Sequence, residues 1–404
     1  MSIIKKNEIK NIGILVLIVG FVLLLEKIIV LDYEKSTQEI IDKKILTRVE
    51  IIATEEQMNY LKNNTDTEPY IKVDVIINGT TIKNCGLRTK GSTIYSKLGE
   101  TTNPTRFGYM LELDYYKKYQ SYDGIKKISL NTNAYDKTTI REMICYDIYE
   151  IAGVKTVKRS LCDLTIAGKD EGIYTFVEVP LENFINRTYG NNDGVIYKPK
   201  IPTEDENKNE IDMEKVLNGK MFGRVNNNKV RMLSNSLKNI KENNNIEKYM
   251  DISSMIDYLV VCFFIDNHDS YVSETSRNYY IYQQRDKITF LPYDLDLILM
   301  NDDDIKFPVL TYEKYQNKPI IFNILNNDKY MLEYKNKISE IINYLEQNNY
   351  IYKRIDFYEK IVHNSMFNNS NNFYQYSFYK EDIINLKKSM QLRIQKVREE
   401  LDKS

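Results

Sequence analysis

Alternating apolar and polar positions predict β-strands in the first half of the chain. Residues 70–77 alternate and run into Asn78-Gly79, after which residues 80–83 alternate again. An Asn-Gly pair between two alternating runs is typical of a hairpin with a tight turn. Residues 109–114 have the same pattern and are expected to form a further strand.

Two more hairpins are predicted further along the chain. Residues 161–166 and 172–178 alternate on either side of a glycine turn, and residues 278–283 and 288–292 alternate on either side of a short polar turn. Strands of this length joined by a few polar residues normally pair antiparallel.

Apolar residues at helical spacing predict helices between and after these strands. Residues 138–151 have this spacing, and residues 252–264 are apolar on nearly every side, as in a buried helix. The remaining predicted helices lie at 330–345, 351–365 and 381–401. A strand-rich N-terminal half followed by a helical C-terminal half indicates an α+β fold with two lobes.

The N-terminus has the pattern of a retained signal anchor. Residues 12–25 are apolar, lysines precede them, and a second apolar patch covers residues 28–31. No small-residue cleavage site follows the apolar run. We therefore expect a transmembrane signal anchor at 12–31, a cytoplasmic flank at 1–11 and a single-pass protein with its C-terminal domain extracytoplasmic.

The rest of the chain divides by composition. A polar, Asn-rich and Lys-rich stretch separates the strand-rich part from the helical part. The predicted units are a linker helix at 32–48, an N-terminal strand-rich lobe at 49–200, a polar insertion at 201–245 and a C-terminal helical lobe at 246–404.

Composition limits the kinds of partner and site that the chain is expected to have. The 56 Lys+Arg and 57 Asp+Glu leave a net charge of -1, which argues against a nucleic-acid partner. The four cysteines form no C-x-x-C pair, so a zinc site is not indicated, while one or two disulfides stay open. With two histidines in the chain, catalysis would depend mainly on carboxylates and amides.

Carboxylates and an amide surround the predicted hairpin at 278–292. Asp269 follows the buried helix, Asn278 precedes the hairpin and Asp294 follows it. Phosphoryl transfer uses one carboxylate to orient the acceptor, with an amide and a second carboxylate to hold metal ions against the phosphates. Protein kinases place these groups in the same order around a hairpin. The alternative is an ordinary set of turn residues.

Several blocks of the sequence, in this order, resemble the CotH kinase family. The blocks are Gly86-Leu87-Arg88-Thr89-Lys90-Gly91-Ser92-Thr93, residues 106–114, Leu130-Asn131 with Asp136, Arg141-Glu142, Gly172-Ile173-Tyr174 with Glu178, Tyr197-Lys198, Asn267-His268-Asp269-Ser270-Tyr271, Asn278-Tyr279-Tyr280 and Pro292-Tyr293-Asp294-Leu295-Asp296. They extend over residues 72–398, so the resemblance covers a whole domain.

The resemblance implies a two-lobed, atypical protein-kinase-like domain that uses ATP and Mg²⁺ or Mn²⁺. Its expected substrates are Ser or Thr residues of spore-coat or surface proteins, with a role in sporulation. The resemblance also implies that the anchored C-terminal domain is extracytoplasmic or faces the spore envelope. Asp269 carries over as the catalytic acid and Asn278 and Asp294 as metal ligands, with Asp296 as a further metal ligand.

Cations near the glycine turn are candidates for the nucleotide phosphates. Arg88, Lys90 and Arg106 are nominated because a glycine turn with nearby cations can hold a triphosphate, and Glu142 could pair with one of them. The alternative for each cation is solvated surface charge.

Two other functions stay open at this point. The first is a catalytically inactive relative that serves as a coat or envelope scaffold. The second is a metal-dependent phosphohydrolase that uses Asp266, Asp269, Asp294 and Asp296.

Overall fold

The computed structural model describes most of the chain after residue 45. The described residues are 46–90, 106–190, 193–199, 219–243, 245–267, 269–273, 276–295, 298, 309–310, 315–347, 349–368 and 376–403. The predicted cytoplasmic flank at 1–11 and anchor at 12–31 lie outside them. The linker helix predicted at 32–48 does not extend to its expected end, because a strand begins at Thr47.

Seven strands close into a barrel. They are β1 Thr47–Ile52, β2 Ile71–Ile77, β3 Thr80–Lys90, β4 Gly108–Glu112, β5 Lys127–Asn131, β6 Arg159–Ile166 and β7 Lys169–Glu178. Their spatial order is β1-β2-β3-β4-β5-β7-β6. A parallel pairing of β1 with β6, in which Val49 lies opposite Leu164, closes the ring.

The alternation of the sequence decides which side chains fill the barrel. Leu87, Leu111 and Leu130 are fully buried in its core. Because neighbouring side chains on a strand point to opposite faces, Lys90 and Asn131 lie on the outer face. The predicted Asn78-Gly79 turn is confirmed between β2 and β3, where both residues have positive φ.

A second sheet has the spatial order β11-β10-β8-β9. Its strands are β8 Val195–Lys198, β9 Lys220–Gly223, β10 Tyr279–Gln284 and β11 Lys287–Pro292. The predicted hairpin at 278–292 is confirmed as β10 and β11. The described end of the predicted polar insertion, residues 219–243, contributes β9 and a helix to the second sheet and its surroundings.

Ten helices occur in the described residues. They are α1 Glu55–Asn63, α2 Arg141–Ala152, α3 Glu182–Tyr189, α4 Asn227–Lys241, α5 Ile246–Tyr249, α6 Ile252–Phe264, α7 Pro319–Leu325, α8 Asp328–Gln347, α9 Tyr350–Asn368 and α10 Tyr376–Asp402. The apolar helix predicted at 252–264 is confirmed as α6, which packs against α2, α8 and β11. Asp251 caps α6 by accepting a hydrogen bond from the Ser254 amide.

The expected two-lobed kinase-like fold is wrong, whereas the transmembrane helix expected before it lies outside the described residues. The strands of the first half close on themselves as a seven-stranded barrel, and β8 leaves that half to pair with β10. Alternation predicts that a segment is a strand but does not say which distant strand it joins. The pairing of β1 with β6, more than 100 residues apart, therefore lay beyond the sequence patterns.

The described residues do not support the expected single-pass membrane location. Among the residues that the structure describes, no helix combines the length and the apolar character that a membrane crossing requires.

The four cysteines are free and buried, so neither of the disulfides left open by the sequence forms. Cys262 of α6 is instead 3.1 Å from the hydroxyl of Tyr149 on α2. Burial raises the pKa of the Cys262 thiol to about 11. These cysteines serve as small apolar side chains of the core.

Candidate active site

An ion pair joins the barrel to the end of the second sheet. Lys90 is the last residue of β3, and Asp294 follows β11 by two residues; Lys90 Nζ lies 3.0 Å from Asp294 Oδ1. The two side chains are 15% and 23% exposed, so the pair is shielded but still reaches solvent. Asp294 has a positive φ of 58°, a conformation that non-glycine residues seldom adopt outside functional turns.

Asn131 and Glu142 hold Lys90 in place. Asn131 Oδ1 accepts a hydrogen bond of 2.6 Å from Lys90, and its amide nitrogen donates to both Glu142 oxygens at 2.9 Å. Glu142 lies in the first turn of α2 and also accepts from the Leu295 amide at 3.4 Å. The network therefore ties β3, β5, α2 and the residue after Asp294 together.

The charges in this network affect one another. Burial and the nearby charge of Asp294 raise the pKa of Glu142 to about 7, although Asn131 and Lys90 oppose the shift. Burial alone would lower the pKa of Lys90, but the charges of Asp294, Tyr293 and Glu142 outweigh it and raise the pKa. Lys90 therefore stays positive between two carboxyl groups.

Asp269 and Asn278 lie side by side. The Asn278 amide nitrogen donates to Asp269 Oδ2 at 2.8 Å, and Arg277 Nε lies 2.5 Å from Asp269 Oδ1. Asn278 has a positive φ of 56° as the chain enters β10. The Asp269 amide donates to Asn267 Oδ1 at 3.1 Å, which fixes the turn that carries the carboxylate.

The hairpin register brings these groups to one end of the second sheet. Tyr279 of β10 pairs with Pro292 of β11 at the open end of the hairpin. Asn278 immediately precedes that pair and Asp294 follows it by two residues, so both lie where the two strands end. Asp269 is bound to Asn278 and therefore belongs to the same end.

Two lysines of the second sheet add positive charge to this region. Lys198 of β8 and Lys220 of β9 are directly opposite each other in the sheet, an unfavourable position for like charges. Lys198 Nζ lies 4.2 Å from the ring centroid of Tyr293, next to Asp294. Neither lysine forms a salt bridge with a residue that the structure describes.

Cations of the barrel face these lysines. Burial lowers the pKa of Lys220, and the charges of Arg88, Lys127 and Lys198 lower it further. Arg88 is paired with Glu68 and donates to the Tyr70 hydroxyl, and Lys127 is 2.5 Å from Glu112. The outer face of β3 to β5 and the edge of the second sheet thus bring several cations together, of which Arg88, Lys90 and Lys127 are paired with carboxylates and Lys198 and Lys220 form no salt bridge with a described residue.

Arg106 makes different contacts. It donates to the Ile173 carbonyl and its guanidinium lies 4.2 Å from the Tyr174 ring centroid. Both residues belong to β7, and neither is part of the network around Lys90. The structure thus brings Arg88, Lys90 and Glu142 to one region and places Arg106 against β7.

Residues 87–398 match the model of a family described as CotH kinase protein. This match covers most of the chain and includes the described site from Arg88 to Asp294. The chain belongs to the CotH kinase family. The resemblance seen in the sequence is thereby confirmed. No curated protein matches the chain.

In this CotH kinase family member, sequence analysis missed several polar residues of the site. Ser129 donates to Asn131 Oδ1 at 2.6 Å, and Asn131 was noted within a resembling block but not as a site residue. Both alternate with the buried Ile128 and Leu130, so their outward direction could have been derived from the strand pattern. Lys198 was noted within a resembling block but not as a site residue. Lys220 lies within the predicted polar insertion at 201–245, which gave no strand pattern, and no sequence signal pointed to it.

The donor atoms suit a metal ion that substrate phosphates help to bind. Mg²⁺ and Mn²⁺ take oxygen ligands and are commonly held by one or two carboxylates together with phosphates. Asn278 directs its amide nitrogen to Asp269, which leaves its amide oxygen to accept. Within the described residues, no three acidic, His or Cys side chains come together to hold a metal. Asp296 lies outside the described residues.

Proposed function

We propose that this CotH kinase family member transfers the γ-phosphate of ATP to a serine or threonine hydroxyl of a protein. One observation carries the proposal. The Lys90–Asp294 ion pair lies beside Lys198, which also contacts Tyr293, and Lys198 is opposite Lys220; neither Lys198 nor Lys220 forms a salt bridge with a described residue. Like charges this close oppose folding unless an anion neutralises them, and a triphosphate beside an aspartate matches the arrangement.

The cations of the site would bind and orient the phosphates. Lys90 is positioned by Asn131, so it can hold a phosphate oxygen without first losing side-chain freedom. Lys198 and Lys220 would neutralise charge that develops on the phosphates during transfer. Glu142 acts through Asn131, which it holds by both oxygens, and is therefore a positioning residue.

Asp294 and Asn278 are the proposed ligands of Mg²⁺ or Mn²⁺. Such an ion would neutralise negative charge on the phosphates. Asp294 forms an ion pair with Lys90, and the Asn278 amide nitrogen donates to Asp269, which leaves the amide oxygen for a ligand contact. The proposed role of Asp296 as a further ligand rests on the sequence alone.

Asp269 is the proposed catalytic residue. Its carboxylate is near the solvent boundary, 14% exposed, and is oriented by Asn278 and Arg277. It would accept the proton of the acceptor hydroxyl while that oxygen forms a bond to the γ-phosphorus. The bond between the γ-phosphorus and the bridging oxygen breaks, and ADP leaves. The family resemblance supports a spore-coat or surface protein as the acceptor.

Transfer of labelled phosphate tests the proposal. The full-length chain is incubated with γ-labelled ATP, MgCl₂ or MnCl₂, and dephosphorylated casein as a general acceptor. The expected result is phosphoserine or phosphothreonine on the chain or on casein, lost in Asp269→Asn and kept in Asp286→Asn. Asp286 lies in the opposite turn of the same hairpin and serves as a matched control.

The alternatives give different products. Free phosphate without labelled protein would favour a metal-dependent phosphohydrolase. Binding of ATP that yields neither free phosphate nor labelled protein would favour a catalytically inactive scaffold. Equal protein labelling by Asp269→Asn and the unaltered chain would remove Asp269 from its proposed role.

A further inference from the structure

A cavity of about 740 Å³ lies at the turn end of the β10–β11 hairpin. Its walls come from the end of α2, from Tyr189 of α3, from the segment that leads into α6, and from the hairpin itself. Ligand sites in proteins usually have volumes of roughly 300–1,000 Å³, so this cavity is large enough for a small molecule.

The cavity is separate from the proposed active site. Glu142 lies in the first turn of α2, whereas Gly153, just past the last turn, lines the cavity. Eleven helical steps at 1.5 Å each correspond to about 16 Å along the helix axis. The hairpin also separates the two sites, because Asp294 follows its open end whereas Arg285 lies in its turn.

Positive charge predominates at the rim of the cavity. Lys155, Arg285 and Lys287 are exposed, and none of them forms a salt bridge with a described residue. Asp251 and Asp286 also line the cavity, but the carboxylate of Asp251 is engaged in capping α6. An anionic group is therefore favoured at the hairpin turn, where the two cations Arg285 and Lys287 outnumber the single carboxylate of Asp286.

The interior of the cavity is apolar and aromatic. Val154, Phe290 and Leu291 are buried residues of its lining. Tyr189 and Tyr282 also line it and stack on each other with ring centroids 3.7 Å apart. Flat walls of this kind favour a flat apolar group in the ligand.

We propose that this cavity binds a small anion with a flat apolar body, such as an aromatic carboxylate, sulfonate or phosphate. The ring lies against Val154 and the aromatic wall, and the anionic group faces Arg285 and Lys287. This site does not depend on the proposed phosphoryl transfer, because it shares no residue with the network around Lys90.

Binding of anilinonaphthalene sulfonate to the full-length chain tests the site. This dye is an aromatic anion whose fluorescence rises in an apolar cavity, and uncharged phenylnaphthylamine serves as the probe without charge. We expect saturable binding of the sulfonate and at least about tenfold weaker binding by Arg285→Gln/Lys287→Gln, because two charge-assisted contacts are lost. Binding of the uncharged probe should be unchanged.

Two control variants make the outcome decisive. Lys117→Gln/Lys118→Gln removes the same charge from an exposed connection of the barrel and should bind both dyes like the unaltered chain. Val154→Trp should occupy the space against the aromatic wall and weaken binding of both dyes. If the hairpin variant does not fold, Lys155→Gln provides the same charge test at an exposed position. Absence of sulfonate binding, or equal binding by both double variants, would overturn the proposal.

Discussion

Lys90 and Asp294 are separated by 204 residues in the chain, yet their side chains form an ion pair of 3.0 Å. Lys90 belongs to the barrel and Asp294 follows the second sheet. A contact between elements this distant in sequence costs conformational entropy that local contacts do not. Its presence at the one end of the hairpin that also carries Asn278 supports a functional role.

Replacement of Lys90 by methionine should damage both stability and activity. Asp294 and Asn131 lose their cationic partner, so the free energy of unfolding should fall by about 1–3 kcal/mol. Phosphoryl transfer should fall by about 100-fold or more because a preorganised charge is removed. Urea unfolding and initial rates measure the two effects. A rate within about twofold of the unaltered chain would exclude Lys90 from the mechanism.

Removal of Lys198 and Lys220 should weaken ATP binding without lowering the stability of the protein. Folding lowers the pKa of Lys220, so this charge opposes folding, and Lys198→Ala/Lys220→Ala should be as stable as the unaltered chain or more stable. Its dissociation constant for ATP should rise at least about tenfold. Calorimetry and thermal unfolding check both results.

The control for this prediction is Lys117→Ala/Lys118→Ala, which removes the same charge from an exposed surface. It should leave ATP affinity unchanged. If both double variants bind ATP equally well, the lysine pair has no part in nucleotide binding.

Glu142 should make stability depend on pH. Burial and the charge of Asp294 raise its pKa from 4.5 to about 7, so the folded protein holds a proton that the unfolded chain releases. The stabilisation is complete below about pH 4.5 and is lost as the pH rises through about 7, with a size of up to about 3 kcal/mol. Glu142→Gln stays neutral and should lose this contribution to the pH dependence.

Urea unfolding at pH 5 and pH 8 measures the difference. The exposed Glu333→Gln serves as a control and should keep the pH dependence of the unaltered chain. An identical pH dependence in Glu142→Gln would show that Glu142 titrates at its ordinary value.

Arg106 should contribute to the stability of the protein and not to nucleotide binding. Arg106→Ala removes a donor to the Ile173 carbonyl and a contact with the Tyr174 ring, so the free energy of unfolding should fall by about 1–3 kcal/mol. The affinity of the folded protein for ATP should not change, because neither contact belongs to the network around Lys90. A stable variant with at least about tenfold weaker ATP binding would instead restore Arg106 to the nucleotide site.

Local features of the fold could be predicted from the sequence. The Asn78-Gly79 turn requires positive φ, and Asn and Gly are the residues that adopt it most readily. The helix at 252–264 is apolar on nearly all sides because α2, α8 and β11 surround it. The hairpin that separates Asn278 from Asp294 followed from alternation alone.

Long-range pairing could not be predicted in this way. Closure of the barrel depends on β1 and β6, and nothing in either strand specifies the other. The same is true of Lys198 and Lys220, which become neighbours only when β8 pairs with β9 across a polar stretch. The sequence therefore nominated Asp269, Asn278 and Asp294 together with Arg88, Lys90 and Glu142, and it did not nominate Lys198 and Lys220.

Binding of Mg²⁺-ATP measured by calorimetry tests the central claim most directly. The full-length chain is compared with Asp294→Asn and with Asp286→Asn, which makes the same change at the opposite end of the hairpin. We expect the unaltered chain and Asp286→Asn to bind with the same affinity, and Asp294→Asn to bind at least about tenfold more weakly. Equal affinity in all three proteins would contradict a nucleotide and metal site at Asp294.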